Sequence, residues 1–76
     1  MQKQVRTNTK DTTLVQLGQR IKDLRLSKGL TQAELAKKSN IAANYIAMLE
    51  RGERNATYLT LLKLAEGLEV KVGELF

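Results

Sequence analysis

Asn44, Ala47, Met48 and Arg51 stand at i, i+3, i+4 and i+7, a spacing that on a helix stacks four side chains along one face. Their chemistry is recognition rather than bond-breaking. The Asn44 amide sets a donor beside an acceptor, the pair that meets the N6/N7 edge of adenine in a major groove, and a solvated surface amide is the plainer reading. Arg51 supplies a permanent cation for backbone phosphate. Ala47 and the flanking Ala43 fit thymine methyls or simply permit close approach. Met48 suits either apolar base edges or the core. Tyr45, also flanking, packs on a neighbouring helix or bonds a phosphate. Arg54, three residues past Arg51, reaches backbone, base edge or only water.

Other chemistries lack their residues. The 76-residue chain has no histidine and no cysteine, so the usual general base, the thiolate nucleophile and the common zinc ligands are missing. With no glycine-rich phosphate loop either, we expect a non-enzyme with no cofactor and no metal. The net charge of +5 favours a polyanion, since each phosphate neutralised releases counterions, though such a charge also serves solubility alone. No apolar run reaches the roughly 20 residues of a membrane span and no leader pattern opens the chain. A cytoplasmic protein without membrane contact is expected.

The elements that must position these side chains are helical. Residues 1–11 carry no period and read as a flexible arm, either frayed or reaching a groove; residues 12–76 form the domain. Leu14, Leu17, Ile21 and Leu24 recur at helical spacing over 12–28, with Gly29 as the stop. Thr31-Gln32-Ala33-Glu34 is a capping box opening a helix over 32–38, with Leu30 and Leu35 as its hydrophobic staple. Asn40 accepts the left-handed turn, a third helix covers 42–51, and Gly52 ends it. Thr57 caps a fourth helix buried through Leu61, Leu62, Leu64, Ala65 and Leu68, with Gly67 helping to end it; Val70, Val72, Leu75 and Phe76 form an apolar tail. With 42 % hydrophobic residues and three aromatics the core must be aliphatic. The fold class is all-α, a compact four- to five-helix domain.

The twenty residues 32–51 fit a helix-turn-helix: Leu35, Ala36, Asn40, Ile41, Ile46 and Leu49 fall on its fourth, fifth, ninth, tenth, fifteenth and eighteenth places. Steeply crossing helices need a small residue at their contact, here Ala36, and apolar wedges around it. The stretches Ile21–Arg25, Gly29–Ala36, Tyr45-Ile46, Leu49–Gly52 and Leu61–Val70 together resemble the Cro/C1-type helix-turn-helix regulators of bacteria and phages, with a lambda-repressor-like fold. Within that family the chain is most similar to controller proteins of restriction–modification systems. Asn40 in place of a turn glycine, Ala42 in place of a capping hydroxyl and Ala56 in place of a loop proline depart from the pattern.

That resemblance implies a bacterial or phage-encoded transcriptional regulator that binds a palindromic double-stranded DNA operator as a homodimer, with RNA polymerase a candidate second partner. It assigns Gln32 to a phosphate clamp and Arg25 with Glu50 to an ion pair between the first and third helices. Leu68, Val70, Val72, Leu75 and Phe76 hold more apolar surface than one small core needs, so helix 4 and the tail are expected to form the dimer interface. A phage or chromosomal Cro/C1-like repressor and an antitoxin-type protein-binding module are the alternatives.

Overall fold

The computed structural model describes residues 12–76; the expected arm over 1–11 lies outside the described residues. Four helices follow in order, α1 Thr12–Ser27, α2 Gln32–Ser39, α3 Ala43–Glu50 and α4 Tyr58–Leu68, then a 3-10 turn over Val72–Leu75. The expected elements form within a residue or two of the expected bounds. Both caps also form. The Thr31 hydroxyl accepts from the Glu34 amide at 3.0 Å while the Glu34 carboxylate accepts from the Thr31 amide at 2.8 Å, and the Thr57 hydroxyl accepts from the Thr60 amide at 3.1 Å. Ala42 at the head of α3 provides no side-chain cap.

All four helices stop in the same way. A residue with positive φ follows each one, Gly29 (72°), Asn40 (57°), Gly52 (76°) and Glu69 (61°). The amide one place further on then reaches back five residues: Leu30 to the Arg25 carbonyl, Ile41 to Ala36, Glu53 to Met48 and Val70 to Ala65, at 2.9–3.1 Å. This closure satisfies carbonyls left over at a helix end. Leu30, Ile41 and Val70 also pack against the core, so three of the four stops turn the chain inward.

The core is Ile21, Leu35, Ala36, Ile46, Leu49, Leu61, Leu64, Ala65, Leu68 and Leu75. Two glycines set how closely the helices lie. Gly18 of α1 faces the carbonyl oxygens of Leu49 and Glu50, so a Cβ there would collide with the backbone of α3. Gly67 faces the Ser39 hydroxyl at the end of α2. This corrects the sequence reading: α4 is ended by Glu69, and Gly67 instead lets α4 meet α2. The C-terminal turn is tied down by the Arg20 guanidinium, which donates to the Glu74 carbonyl at 2.6 Å.

Glu69 bears a side chain at a φ that costs a residue other than Gly or Asn about 1–2 kcal/mol. Its exposed ion pair with Lys38, at 3.4 Å, offsets little of that. Glu69→Gly is therefore expected to stabilise the fold by about 1 kcal/mol, raising the thermal midpoint by roughly 4–8 °C, and Asn40→Gly by much less. Calorimetry on both variants checks the order.

Candidate nucleic-acid interface

The outward face of α3 is mounted on a buried carboxylate. Glu50, in the last turn of α3, has 3 % of its side chain exposed and Arg25 of α1 has 9 %. The pairing is two-pronged: Arg25 Nε donates to Glu50 Oε2 at 2.7 Å and Nη2 to Oε1 at 3.1 Å. Arg25 Nη1 donates to the Leu30 carbonyl at 2.8 Å, ahead of α2. Gln32, the first residue of α2, donates Nε2 to Glu50 Oε1 at 2.9 Å. One carboxylate thus binds α1, the entry to α2 and the end of α3. A fork of planar guanidinium on carboxylate fixes orientation as well as distance, so α3 cannot rotate about its own axis without breaking it.

On that mount, Ile46 and Leu49 point into the core at 0 % and 1 % exposure. Ala42, Ala43 and Asn44 are exposed, Ala47 and Met48 half-buried, and Arg51 exposed just past the helix. The stripe expected from spacing is therefore assembled on the outside of α3, its lower half partly shaded by neighbouring residues. Arg54 is exposed in the following loop.

Three expected roles change in detail. The Tyr45 hydroxyl donates to the Asn55 carbonyl at 2.7 Å and its ring packs against the core. Its proton is spent tying α3 to the loop before α4, which leaves only acceptor capacity for a phosphate-bound water. Gln32 has one amide hydrogen committed to Glu50, so its side chain braces α3 while its backbone amide stays at the head of α2. Arg51 pairs with Glu53 at 3.1 Å, both side chains about half exposed. In the sequence Glu53 reads only as part of a charged loop, not as the partner of Arg51. Its mark was there, an acid two places from a cation across a glycine turn.

The interface residues expected in the tail are divided by the fold. Leu68 and Leu75, at 0 % and 1 % exposure, are spent in the chain's own core and have no surface to offer a partner. Val70 and Val72 are half-buried; Phe76 is 75 % exposed. The apolar surface that does face outward on α4, the helix expected to pair, belongs to Tyr58, Leu59 and Leu62; Leu62, expected on the buried side, instead points outward because Leu61 and Leu64 take the core side of the helix.

A family profile described as helix-turn-helix matches residues 21–75. The chain belongs to the Cro/C1-type helix-turn-helix family. It is 44 % identical over 59 residues to a helix-turn-helix-type transcriptional regulator of Sinorhizobium fredii, covering 78 % of this chain and 77 % of the relative. Among solved structures, the restriction–modification controller protein C.AhdI of Aeromonas hydrophila superposes with a TM-score of 0.85 at 42 % identity, over 87 % of this chain and 100 % of that one. The controller C.Esp1396I, solved as a tetramer on its natural 35-base-pair operator, superposes with a TM-score of 0.78 at 42 % identity, over 82 % of each chain. The helix-turn-helix of this family member is α2, the Asn40 turn and α3.

Removing the shared carboxylate leaves Arg25 buried without a counter-charge. Glu50→Ala is expected to cost about 3–5 kcal/mol, against a change within about 0.5 kcal/mol for Glu53→Ala on the surface. Urea unfolding of the two variants, with equal slopes, distinguishes them.

Proposed function

We propose that this chain is a sequence-specific double-stranded DNA-binding transcriptional regulator, and that the operon it controls is a restriction–modification operon. The observation that carries the reading is the outward face of α3, held by the Arg25–Glu50–Gln32 network in a fold that matches a controller protein over that protein's whole length. A recognition helix enters the major groove with its first residues nearest the base edges. Asn44 then pairs with adenine, Ala43, Ala47 and Met48 make the apolar contacts, and Arg51 and Arg54 hold backbone phosphate. The unpaired amides at the head of α2, beside Gln32, receive a second phosphate. Tyr45 contributes by holding the loop that carries Arg54.

One such module reads few bases. Two copies on half-sites about 34 Å apart double the number. The pairing surface we assign is the outer side of α4, Tyr58, Leu59 and Leu62, with Phe76 from the tail. Exposed large apolar side chains grouped on one short helix are a mark of association.

Selection of duplexes from a random pool, followed by footprinting on the DNA upstream of the chain's own gene, tests the regulator reading. Asn44→Ala is expected to cost roughly 10- to 100-fold in affinity and relax one base position, whereas Arg51→Ala weakens all duplexes alike and flattens the salt dependence. A parent protein that prefers no duplex at any salt sinks the reading. A footprint at a prophage promoter instead of a restriction–modification one would overturn the operon assignment alone. Sedimentation equilibrium tests the pairing surface: a dimer is expected above about 10 μM, for which a micromolar constant suffices, and Leu59→Asp should leave a folded monomer.

A further inference from the structure

Between Ala42 and Met48 the exposed side of α3 carries few side chains that can donate a hydrogen bond. Ala42 and Ala43 are exposed methyl groups, Ala47 and Met48 are half-buried apolar ones, and Asn44 is the one exposed amide among them. The Tyr45 hydroxyl, the other donor on the helix, gives its proton to the Asn55 carbonyl at 2.7 Å. The first cation past this surface along the chain, Arg51, follows Met48 by three residues and is paired with Glu53. Guanine presents two acceptors to the major groove and is met by Arg or Lys; cytosine presents a donor and is met by a carboxylate. Among the described residues of this face neither group is present before Arg51. The feature of the groove that matches methyl and thioether surface is the 5-methyl group of a pyrimidine.

We propose that α3 reads pyrimidine 5-methyl groups, so that the protein distinguishes thymine from uracil, and 5-methylcytosine from cytosine, at the base pairs beneath Ala43, Ala47 and Met48. This rests on the DNA-binding reading above and deepens it: most of the discrimination made by the helix resides in carbon rather than in hydrogen bonds. The small side chains are what make it possible, since a longer residue at 43 or 47 would hold the helix away from the groove floor, and the thioether of Met48 adapts its shape to a methyl without a fixed partner. A consequence is that methylation of cytosine at those places strengthens binding.

The test uses the full chain and a duplex of about 20 base pairs, two half-sites long, recovered by selection from a random pool. Each thymine is replaced in turn by deoxyuridine, and at the same places cytosine and 5-methylcytosine duplexes are compared. The methyl-bearing duplex of each pair is expected to bind about fourfold tighter at two or three positions per half-site, the value of one buried methyl. In Ala47→Ser or Met48→Gln, with an unchanged melting temperature, the ratio at one position should fall toward one. Equal binding of thymine and uracil duplexes at every position overturns the proposal while leaving DNA binding intact. So does a ratio that no α3 variant alters, because the methyl then acts through duplex stiffness. Absence of binding to any selected duplex strikes the underlying reading instead.

Discussion

Everything on the recognition side hangs on a single carboxylate. Glu50 accepts three hydrogen bonds from two residues, Arg25 and Gln32, while Arg25 also reaches the Leu30 carbonyl. A charge pair taken out of water gains little net energy over a hydrophobic replacement, because desolvation consumes most of the attraction. What it gives is direction. Apolar contacts at Ile46 and Leu49 hold α3 against the core but tolerate rotation and sliding; the fork of Arg25 does not. Gly18, pressed on the Leu49 and Glu50 carbonyls, fixes the remaining freedom by setting α1 directly on the backbone of α3.

Much of this was legible in the residues. The Thr31–Glu34 box, the left-handed Asn40 and the Ile46/Leu49 wedge are local signals, and each element formed where its signal stood. What escaped was information about distance between elements. Gly67 reads as a helix stop from its neighbours alone, and only the packed structure shows that Ser39 occupies the space a side chain would need. Leu68 and Leu75 read as surplus because counting apolar residues gives the amount of grease, not which side of it faces in. Tyr45 reads from sequence as either packed or phosphate-bonded, and only the structure shows its hydroxyl on the Asn55 carbonyl. The resemblance to a family supplied the Arg25–Glu50 pair, which no spacing rule would have joined across 25 residues.

The ends of the helices show how little of the chain is spent on turning. Four stops share one hydrogen-bond closure, and three of them use the next residue as a core member. Glycine occupies two of these corners; Asn40 and Glu69 occupy the others at some cost in backbone energy. The third stop, after α3, differs in placing exposed Glu53 where the others place a core-packing apolar residue. That leaves a charged, exposed loop carrying Arg51, Glu53 and Arg54 just past α3, where the Glu53 counter-charge moderates the attraction of the arginines for any polyanion.

The division of labour along α3 has an implication for change over time. Its core members, Ile46 and Leu49, and its anchor, Glu50, all come after the first turn, while Ala42, Ala43 and Asn44 at the leading end are exposed and take no part in the core. Replacements at those leading places leave the scaffold's foundations untouched. The chemistry of that exposed end can therefore be rewritten in a few letters without requiring a new way to fold.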